Sequence, residues 1–451
     1  MYSIFVIVQA LLVQMLFERY CCFLLQTNGD YCPNNCTCTA GSFICSNNSL
    51  LTVPWIPRTP HCRFDLSENH IITIQAGIFK IQSSNKWCSI NFDNNYIHTI
   101  SDGAFDWLMN ASTTFSLRHN NLTSIPKAFE KLTNLRVLYL SGNPLLNLNT
   151  QTMVYMGRSL TDLSFDMGLF QYWPHELQYL RKISVLEIGY IPFSVIPQNA
   201  FHGLETTLRD LQIHSSRLEE IPHAFCIFQA LHTLNFSLNH HRNLFNTRSC
   251  TTDRLQVTHL YFNDNDVKIF PDLQKIFYRI PTIQANNNGF LVMDGDSFDS
   301  SNFTVYDLNL NMNNFSRIPF GVNYLKSLHK LYIAYNSISS VVDPDISKLE
   351  DLIVLGLKGN PILYISKSAF NNNLKLSHLD LSETWLHQIP AAVIALSNLY
   401  SLGLDNTQIV CTCDLAYLKT WNETSTINDE SKCYLSSEKI KDYLQQSLVF
   451  C

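Results

Sequence analysis

No run of lysine or arginine occurs in this 451-residue chain, and Lys+Arg 31 against Asp+Glu 37 leaves a formal charge of −6. The electrostatic footprint of a nucleic-acid or membrane-surface binder is therefore missing. Motifs of catalysis are missing as well: there is no G-x-S-x-G elbow, no phosphate-binding glycine loop and no H-E-x-x-H, since His175-Glu176 is followed by Tyr179 where a second His is required. No apolar run reaches the roughly 18 residues that cross a bilayer; the run from Ser3 to Phe17 is interrupted by Glu18 and Arg19 before the short stretch Tyr20 to Leu25. Asp294 and Asp296 flank Gly295 without the remaining ligands of a calcium loop, and the adjacent His240 and His241 read as solvated loop residues. These absences exclude an enzyme of any motif-bearing class and leave no cofactor to expect.

The N-terminus reads as a secretory signal over residues 1–29, although its first residues carry no Lys or Arg and cleavage can be placed only at Thr27-x-Gly29. A buried N-terminal helix or a membrane anchor are the alternatives. With Cys21 and Cys22 removed in the signal, fourteen cysteines become twelve, a number that can pair completely. Cysteines clustered at both ends of a chain on the secretory route read as disulfides, because that compartment is oxidising. Sequons at Asn35, Asn47, Asn110, Asn121, Asn235, Asn302, Asn314 and Asn422 agree with an extracellular glycoprotein; Asn35 is the poorest, since Cys36 sits inside it.

What the chain does have is a repeat. LRVLYLSGNPL from Leu135, VYDLNLNMNNF from Val305, LHKLYIAYNSI from Leu328 and LIVLGLKGNPI from Leu352 all fit L-x-x-L-x-L-x-x-N-x-L. The ninth position falls at Asn69, Asn95, Asn120, Asn143, Gly168, Ile191, Ser216, Asn239, Asn265, Asn288, Asn313, Asn336, Asn360, Thr384 and Thr407, which is fifteen repeats spaced 23 to 26 residues apart. Within x-L-x-L-x, alternate residues of a short strand face opposite sides, so the leucines enter the core and the x residues face out. The Asn amide both donates and accepts, and so can satisfy backbone groups buried where the chain leaves the strand. Segments such as LTSIPKAFEKLTN from Leu122 supply the apolar convex side, with Phe in place of a regular helical pattern. At one strand spacing per repeat the stack is roughly 70 Å long, a size suited to a macromolecular ligand.

A stack exposes its core at both ends and needs terminal caps. CPNNCTCTAGSFIC places Cys32, Cys36, Cys38 and Cys45 before the first repeat, and CTCDLAYLKTW opens a closing segment that holds Cys411, Cys413, Cys433 and Cys451. Over Cys32 to Cys451 the sequence resembles the extracellular leucine-rich-repeat family with cysteine-rich caps, of the Slit, Nogo-receptor and Toll-ectodomain types; the G-x-I-P signature of plant repeats is absent, and the I-P-x-x-A-F segments look animal. The resemblance implies an α/β solenoid, a leucine-rich-repeat horseshoe with one parallel sheet on its concave face and disulfide-bonded caps. It implies the pairs Cys32–Cys38, Cys36–Cys45, Cys411–Cys433 and Cys413–Cys451. Leu415, Leu418 and Trp421 would form one apolar helical face over the last repeat. A zinc reading of the C-x-C pairs ranks far behind, because no His-containing C-x2-C set accompanies them.

Two further pairs lie inside the array. Cys62 and Cys88 each stand two residues before a strand residue, Phe64 and Ile90, in adjacent repeats about 5 Å apart, which predicts a bridge. Cys226 and Cys250 occupy consecutive return segments and can also close, although their offsets from the strand differ by two residues. Buried free thiols are the alternative for both pairs.

The register also locates a binding surface. Positions 3, 5, 7 and 8 line the concave face, where Asp65, Glu68, Asp93, Asp162, Asp166, Glu187, Asp210, Asp264, Asp307, Asp380, Glu383 and Asp405 outnumber Arg63, Arg118, Lys330 and Lys358. Tyr332 and Tyr335 share that face. The densest mixture runs through Tyr139, Asp162, Asp166, Glu187, Tyr190, Asp210, His214, His259 and Tyr261, and spans the repeats where the ninth-position Asn gives way to Gly168, Ile191 and Ser216. A change of curvature or a bulge is expected there. Merely the wet side of a sheet is the competing reading, and a metal held by Asp162, Asp166, Glu187 and Asp210 is a minor one. A glycan on Asn235 would block the centre of the face.

The expected organisation is thus a signal at 1–29, an N-terminal cap at 30–60, about fifteen repeats at 61–410 and a C-terminal cap at 411–451. The expected function is an extracellular protein-binding scaffold in adhesion or signalling, with a basic or mixed polar partner on the acidic, tyrosine-bearing face. The alternative is a Toll-like pattern-recognition ectodomain reading glycan or microbial ligands. Because the chain stops on Cys451 with no span after it, secretion is the expectation, or the cell surface if the reading frame continues.

Overall fold

The structure, a computed structural model, describes residues 32–33, 35–39, 42–54, 62–78, 87–219, 221–239, 250, 254–293, 295–298, 303–419, 421, 423–436 and 438–451. The expected signal segment, the sequons at Asn302 and Asn422, and His240, His241 and Asp294 lie outside the described residues. The chain divides into two compact units, Met1–Asn143 and Pro144–Cys451.

In the first unit the strand Thr37–Thr39 turns back antiparallel on Ser42–Ile44, which starts a parallel ladder through Arg63–Asp65, Trp87–Asn91, Ser112–Ser116 and Leu135–Tyr139. Phe43, Phe64, Ile90, Phe115 and Leu138 fall in one register column and are all buried. Two disulfides fasten the antiparallel start, Cys32–Cys38 and Cys36–Cys45, with Cα atoms 5.8 and 4.5 Å apart. Cys62 and Cys88 sit one residue before the paired Arg63 and Ser89, and they are bonded with Cα atoms 4.6 Å apart.

The second unit carries a longer parallel ladder, from Asp162–Asp166 through Val185–Gly189, Asp210–His214, Thr233–Asn235, His259–Tyr261, Thr282–Gln284, Asp307–Asn309, Lys330–Tyr332, Val354–Gly356 and His378–Asp380 to Ser401–Gly403. The fourth-position residues Leu163, Leu186, Leu211, Leu234, Leu260, Ile283, Leu308, Leu331, Leu355, Leu379 and Leu402 form an unbroken buried column. Behind it Phe236, Phe262, Phe290 and Phe315 stack ring on ring at 6.2 to 6.4 Å between centroids. Both units are thus capped leucine-rich-repeat solenoid.

The return segments explain the I-P-x-x-A-F pattern. Proline fixes φ near −65° and cannot donate a backbone bond, so it stands just before a short 3-10 turn. Pro126, Pro174, Pro222, Pro319 and Pro390 precede the turns Lys127–Lys131, His175–Tyr179, His223–Ile227, Phe320–Tyr324 and Ala391–Ala395. Each turn buries an apolar residue behind the sheet, among them Phe129, Leu177, Phe225, Val322 and Val393. Cys226 and Cys250, on return segments of the second unit, are bonded with Cα atoms 5.7 Å apart.

Ninth-position asparagines hold the stack together. Asn360 is wholly buried; its Nδ2 donates to the carbonyls of Ile333 (2.9 Å) and Leu357 (2.8 Å), and its Oδ1 accepts the Ile338 N–H at 3.1 Å. Asn143 repeats this pattern of two carbonyls and one amide, and Asn95, Asn313 and Asn336 add a third carbonyl, of the residue two before them. Thr384 and Thr407 make only one of those bonds, from Oγ1 to the Leu381 and Leu404 carbonyls.

At Gly168, Ile191 and Ser216 the expected bulge is not found. The three strands concerned pair residue for residue without a register shift. They extend instead through position 7, ending at Asp166, Gly189 and His214, whereas the eight strands that follow stop at position 5. Without the amide that would catch the departing chain, the backbone satisfies itself in the sheet for two more residues.

The C-terminal segment closes the second unit. Its 3-10 turn Cys413–Leu418 buries Leu415 and Leu418, with Trp421 beside them. Ile427 bridges to Leu402 of the last strand, and the disulfides Cys411–Cys433 and Cys413–Cys451 fasten the arrangement with Cα atoms 5.6 and 5.2 Å apart.

Two expectations follow. Asn360→Ala leaves two carbonyls and an amide buried without partners, and is expected to lower unfolding free energy by about 3 kcal/mol in urea denaturation, whereas the exposed Asn398→Ala changes it little; equal effects would refute the ladder's role. Replacing Cys226 and Cys250 together by Ser opens a loop of separation 24, and the chain-entropy argument sets the loss at about 3 kcal/mol. A denaturation midpoint unaffected by that double change would mean the two thiols do not bridge in solution.

Candidate functional site

The outward face of each ladder is polar, but much of that polarity serves the fold. At position 5, the side chains of Asp65, Asn91, Asn235, Asn309 and Asp380 each accept the backbone N–H two residues on, at 2.9 to 3.1 Å. This local turn supports the chain as it leaves the strand. At position 7, Asp93, Asn263 and Asn311 each accept an N–H from the same position of the next repeat, at Arg118, Asn286 and Ala334. An Asx side chain at these positions is therefore no sign of a ligand.

Other acidic residues are compensated. Lys358 lies 3.2 Å from Glu383, whose hydrogen bond and charge hold its ammonium above the usual lysine range. Asp307 faces Lys330 at 3.9 Å; burial pushes its carboxyl up, and the lysine opposes that. Asp264 accepts from Asn287 Nδ2 at 2.6 Å, and Asp405 from Ser431 Oγ at 2.6 Å. The twelve-to-four acidic excess is thus not a uniform outward field. Lys330 and Lys358 are also confined to the later repeats: from Asp162 to Asn287, positions 3, 5, 7 and 8 hold no lysine or arginine.

That basic-free part of the second unit carries eight of the nine residues predicted for the ligand. Asp162 is half-buried and accepts from Thr161 Oγ1 at 2.6 Å. Asp166, expected to face outward, is only 8% exposed and is the carboxylate least able to meet a partner. It lies in register with Gly189 and, beyond it, His214. A Cβ on Gly189 would come within 2.4 Å of Asp166 Oδ1 and 2.6 Å of His214 Cε1, so only glycine lets both side chains lean across that strand. His214 Nε2 is 3.3 Å from Glu187 Oε1, and its ring meets Tyr190 edge to face at 6.1 Å. Asp210 is half-buried and has no side-chain partner among the described residues. His259 and Tyr261, two apart on one strand, stack nearly parallel with centroids 6.3 Å apart.

Tyr139 belongs to the first unit, where the Arg118 guanidinium lies 4.0 Å over its ring. Among the described residues no three His, Cys, Asp or Glu side chains stand close enough to hold a metal ion, which overturns the four-carboxylate metal reading.

Position 8 holds a signal that residue type alone did not disclose. Its backbone is left-handed in repeat after repeat of the second unit: Tyr190 (φ 54°), Ser215 (53°), Leu238 (60°), Asp264 (56°), Asn287 (51°), Met312 (55°), Tyr335 (54°), Glu383 (58°) and Asn406 (55°), with Gly359 at 68°. Glycine, Asn and Asp suit that conformation, while a bulky residue there costs roughly 1–2 kcal/mol. Tyr335 recovers something from contacts: its hydroxyl donates to Glu383 Oε2 at 3.2 Å and its ring crosses Gly359, where a Cβ would approach to 2.4 Å. Tyr190, Leu238 and Met312 are instead 56%, 53% and 53% exposed, Met312 lying in a later repeat. Leu238 was absent from the predicted site; the regular φ of its register position is what reveals it.

A family model described as leucine rich repeat matches residues 88–145, and one described as leucine rich repeat N-terminal domain matches residues 31–57. Fibromodulin of Mus musculus is 27% identical over 351 residues, covering 73% of this chain and 74% of that protein. The transforming growth factor beta activator LRRC33 of Danio rerio is 24% identical, covering 81% of this chain and 54% of its own length. Among solved structures, a leucine-rich-repeat protein of Leptospira interrogans superimposes with a TM-score of 0.55 at 21% identity, over 81% of this chain and 90% of that one. A chain of the Drosophila Toll–Spatzle complex does so at 0.58 and 16% identity, over 82% and 54%. These two likenesses are of fold. The register, the cap cysteines and the sequence matches agree: the chain is a leucine-rich-repeat solenoid similar to extracellular leucine-rich-repeat proteins with a cysteine-rich N-terminal cap.

Proposed function

We propose that this protein is an extracellular scaffold for adhesion or signalling, and that its protein partner docks on the part of the second unit's sheet face built from Asp162, Glu187, Tyr190, Asp210, His214, His259 and Tyr261. The observation that carries this is Tyr190: a bulky aromatic stands exposed in a left-handed backbone position where folding favours Gly or Asn. Folding alone does not favour a tyrosine at this position, and aromatic anchors are what interfaces use. Around it the absence of lysine and arginine favours a partner with a basic surface.

The likeness to fibromodulin over three quarters of both chains supports a matrix or cell-surface setting. Among the described residues no helix is long and apolar enough to cross a membrane. Toll is held with a protein, Spatzle, in the structure that shares this fold, in keeping with a protein ligand here. A pattern-recognition role rests on fold likeness alone.

The test separates binding from stability. An array of secreted and cell-surface ectodomains is screened with the unaltered protein, and the affinity of each hit is remeasured with Tyr190→Asn and with Asp162→Lys plus Asp210→Lys. Tyr190→Asn is expected to hold or raise stability by up to about 1 kcal/mol, yet to weaken binding roughly thirtyfold, the cost of losing an anchor worth about 2 kcal/mol. The lysine pair is expected to slow association with a basic partner. Affinities unmoved by both variants would place the interface elsewhere.

A further inference from the structure

Beside the post-strand turns of the second unit lies a groove of about 270 Å³, lined by Leu291, Val292, Met293, Phe315, Arg317 and Phe320 among others. It is apolar and open: Leu291, Val292 and Phe320 are 53%, 47% and 54% exposed. A contiguous apolar surface of this kind on an extracellular protein is a liability unless something covers it. The sequence places a candidate cover at its edge. Asn314-Phe315-Ser316 is an intact sequon whose second and third residues line the groove.

The backbone holds that sequon in place. The Asn314 N–H donates to the Phe290 carbonyl at 2.9 Å, directly before Leu291, Val292 and Met293. The Phe315 N–H donates to the ladder residue Asn336 at 3.0 Å. The Asn314 side chain is exposed, as is Ser316. Asn235 contrasts with it: that side chain is half-buried on the sheet face, in register with Gln212 and Tyr261, and its Oδ1 accepts the Ser237 N–H at 3.1 Å. Asp65, Asn91, Asn309 and Asp380 make the same bond outside any sequon, so Asn235 has a structural reason to be there.

We infer that Asn314 carries an N-linked glycan whose first sugars lie in the groove of Leu291, Val292 and Phe320, and that Asn235 carries none, leaving the centre of the sheet face open. The inference rests on the extracellular reading above. In the modification the Asn314 amide nitrogen bonds to the anomeric carbon of an oligosaccharide borne on a polyprenyl diphosphate. The bond from that carbon to the diphosphate oxygen breaks, the diphosphate leaves with the electron pair, and the amide gives up one proton. A pyranose ring offers an apolar C–H face to Leu291, Val292 and Phe320 and directs its hydroxyls to Arg317 and water. Arg317 is already held, with Nη2 donating to Asp345 at 3.1 Å, so the groove wall is fixed before the sugar arrives.

The experiment expresses the full chain in cells that perform N-glycosylation and maps every sequon by enzymatic release in heavy-oxygen water. Expected are occupancy at Asn314 and none at Asn235. Asn314→Gln and Ser316→Ala, two independent ways to lose the sugar, should raise binding of the apolar dye ANS several-fold, while Ser316→Thr, which keeps the sequon, should not. Adding Leu291→Ser and Phe320→Ser to Asn314→Gln should return the signal to the starting level. An empty Asn314 beside occupied Asn47, Asn110 or Asn121 overturns the inference and spares the extracellular reading. Sugar-free protein at every sequon overturns both. An occupied Asn314 whose removal leaves dye binding unchanged, or a partner protein that binds the glycosylated chain and is lost with Phe320→Ser, overturns the glycan's place in the groove.

Discussion

The structure depends on one constraint: every repeat must take its backbone out of a buried sheet without leaving amides and carbonyls unpaired. A desolvated backbone group costs about as much as a lost hydrogen bond, and the exit recurs in each repeat, so the penalty would accumulate along the stack. The ninth-position asparagine meets it with one side chain that is donor and acceptor at once, tying the exit of its own repeat to the repeat before it, as Asn360 does with Leu357, Ile333 and Ile338. The residue before it is left-handed, as Gly359 is before Asn360, and Tyr190 and Ser215 are left-handed where no asparagine follows, so the turn belongs to the exit itself and the amide satisfies the groups that the exit leaves.

Most of the architecture was legible because the repeat multiplies weak signals. One L-x-x-L-x-L is common, but leucines at equal intervals that must all face inward leave a single register, and the buried column from Leu163 to Leu402 is that register. Cys62 and Cys88 were readable for the same reason, since equal offsets in adjacent repeats mean adjacent positions in space; Cys226 and Cys250, whose offsets differ by two, were not fixed by that rule and are bonded nonetheless. What stayed hidden was how the chain would respond where the asparagine is missing. A bulge was a reasonable expectation at Gly168, Ile191 and Ser216; the longer strands there arise because a paired backbone satisfies the same groups that the amide would have.

The candidate site was less legible, and the reason is chemical. Aspartate and asparagine at positions 5 and 7 look like ligand contacts in a linear pattern, yet in three dimensions they bond backbone amides two residues or one repeat away, as Asp65 and Asp93 do. Counting acidic residues therefore mixes groups committed to the fold with groups left for a partner. Partition by neighbour separates them: the later repeats bring their own lysines, and the earlier repeats of the second unit do not. Asp166 shows the opposite error, since it has the right register and the right charge but lies under the surface between Gly189 and its neighbours.

A sounder criterion than charge is conflict between levels. Where local backbone preference, burial and side-chain bonding agree, as at Asn287 or Gly359, the residue is explained by folding and says nothing of function. Tyr190 breaks that agreement, being bulky in a left-handed position and exposed, with its ring against His214 as the contact that orients it. Leu238 breaks it in the same way two repeats on, with an apolar side chain that gains nothing from exposure. Tyr335 shows how such a conflict can be resolved internally, through Glu383 and the glycine beneath its ring. The difference between Tyr335 and Tyr190 is the difference between a tyrosine that the fold uses and one that it merely carries. That difference is the ground on which we propose the earlier repeats of the second unit as the binding surface.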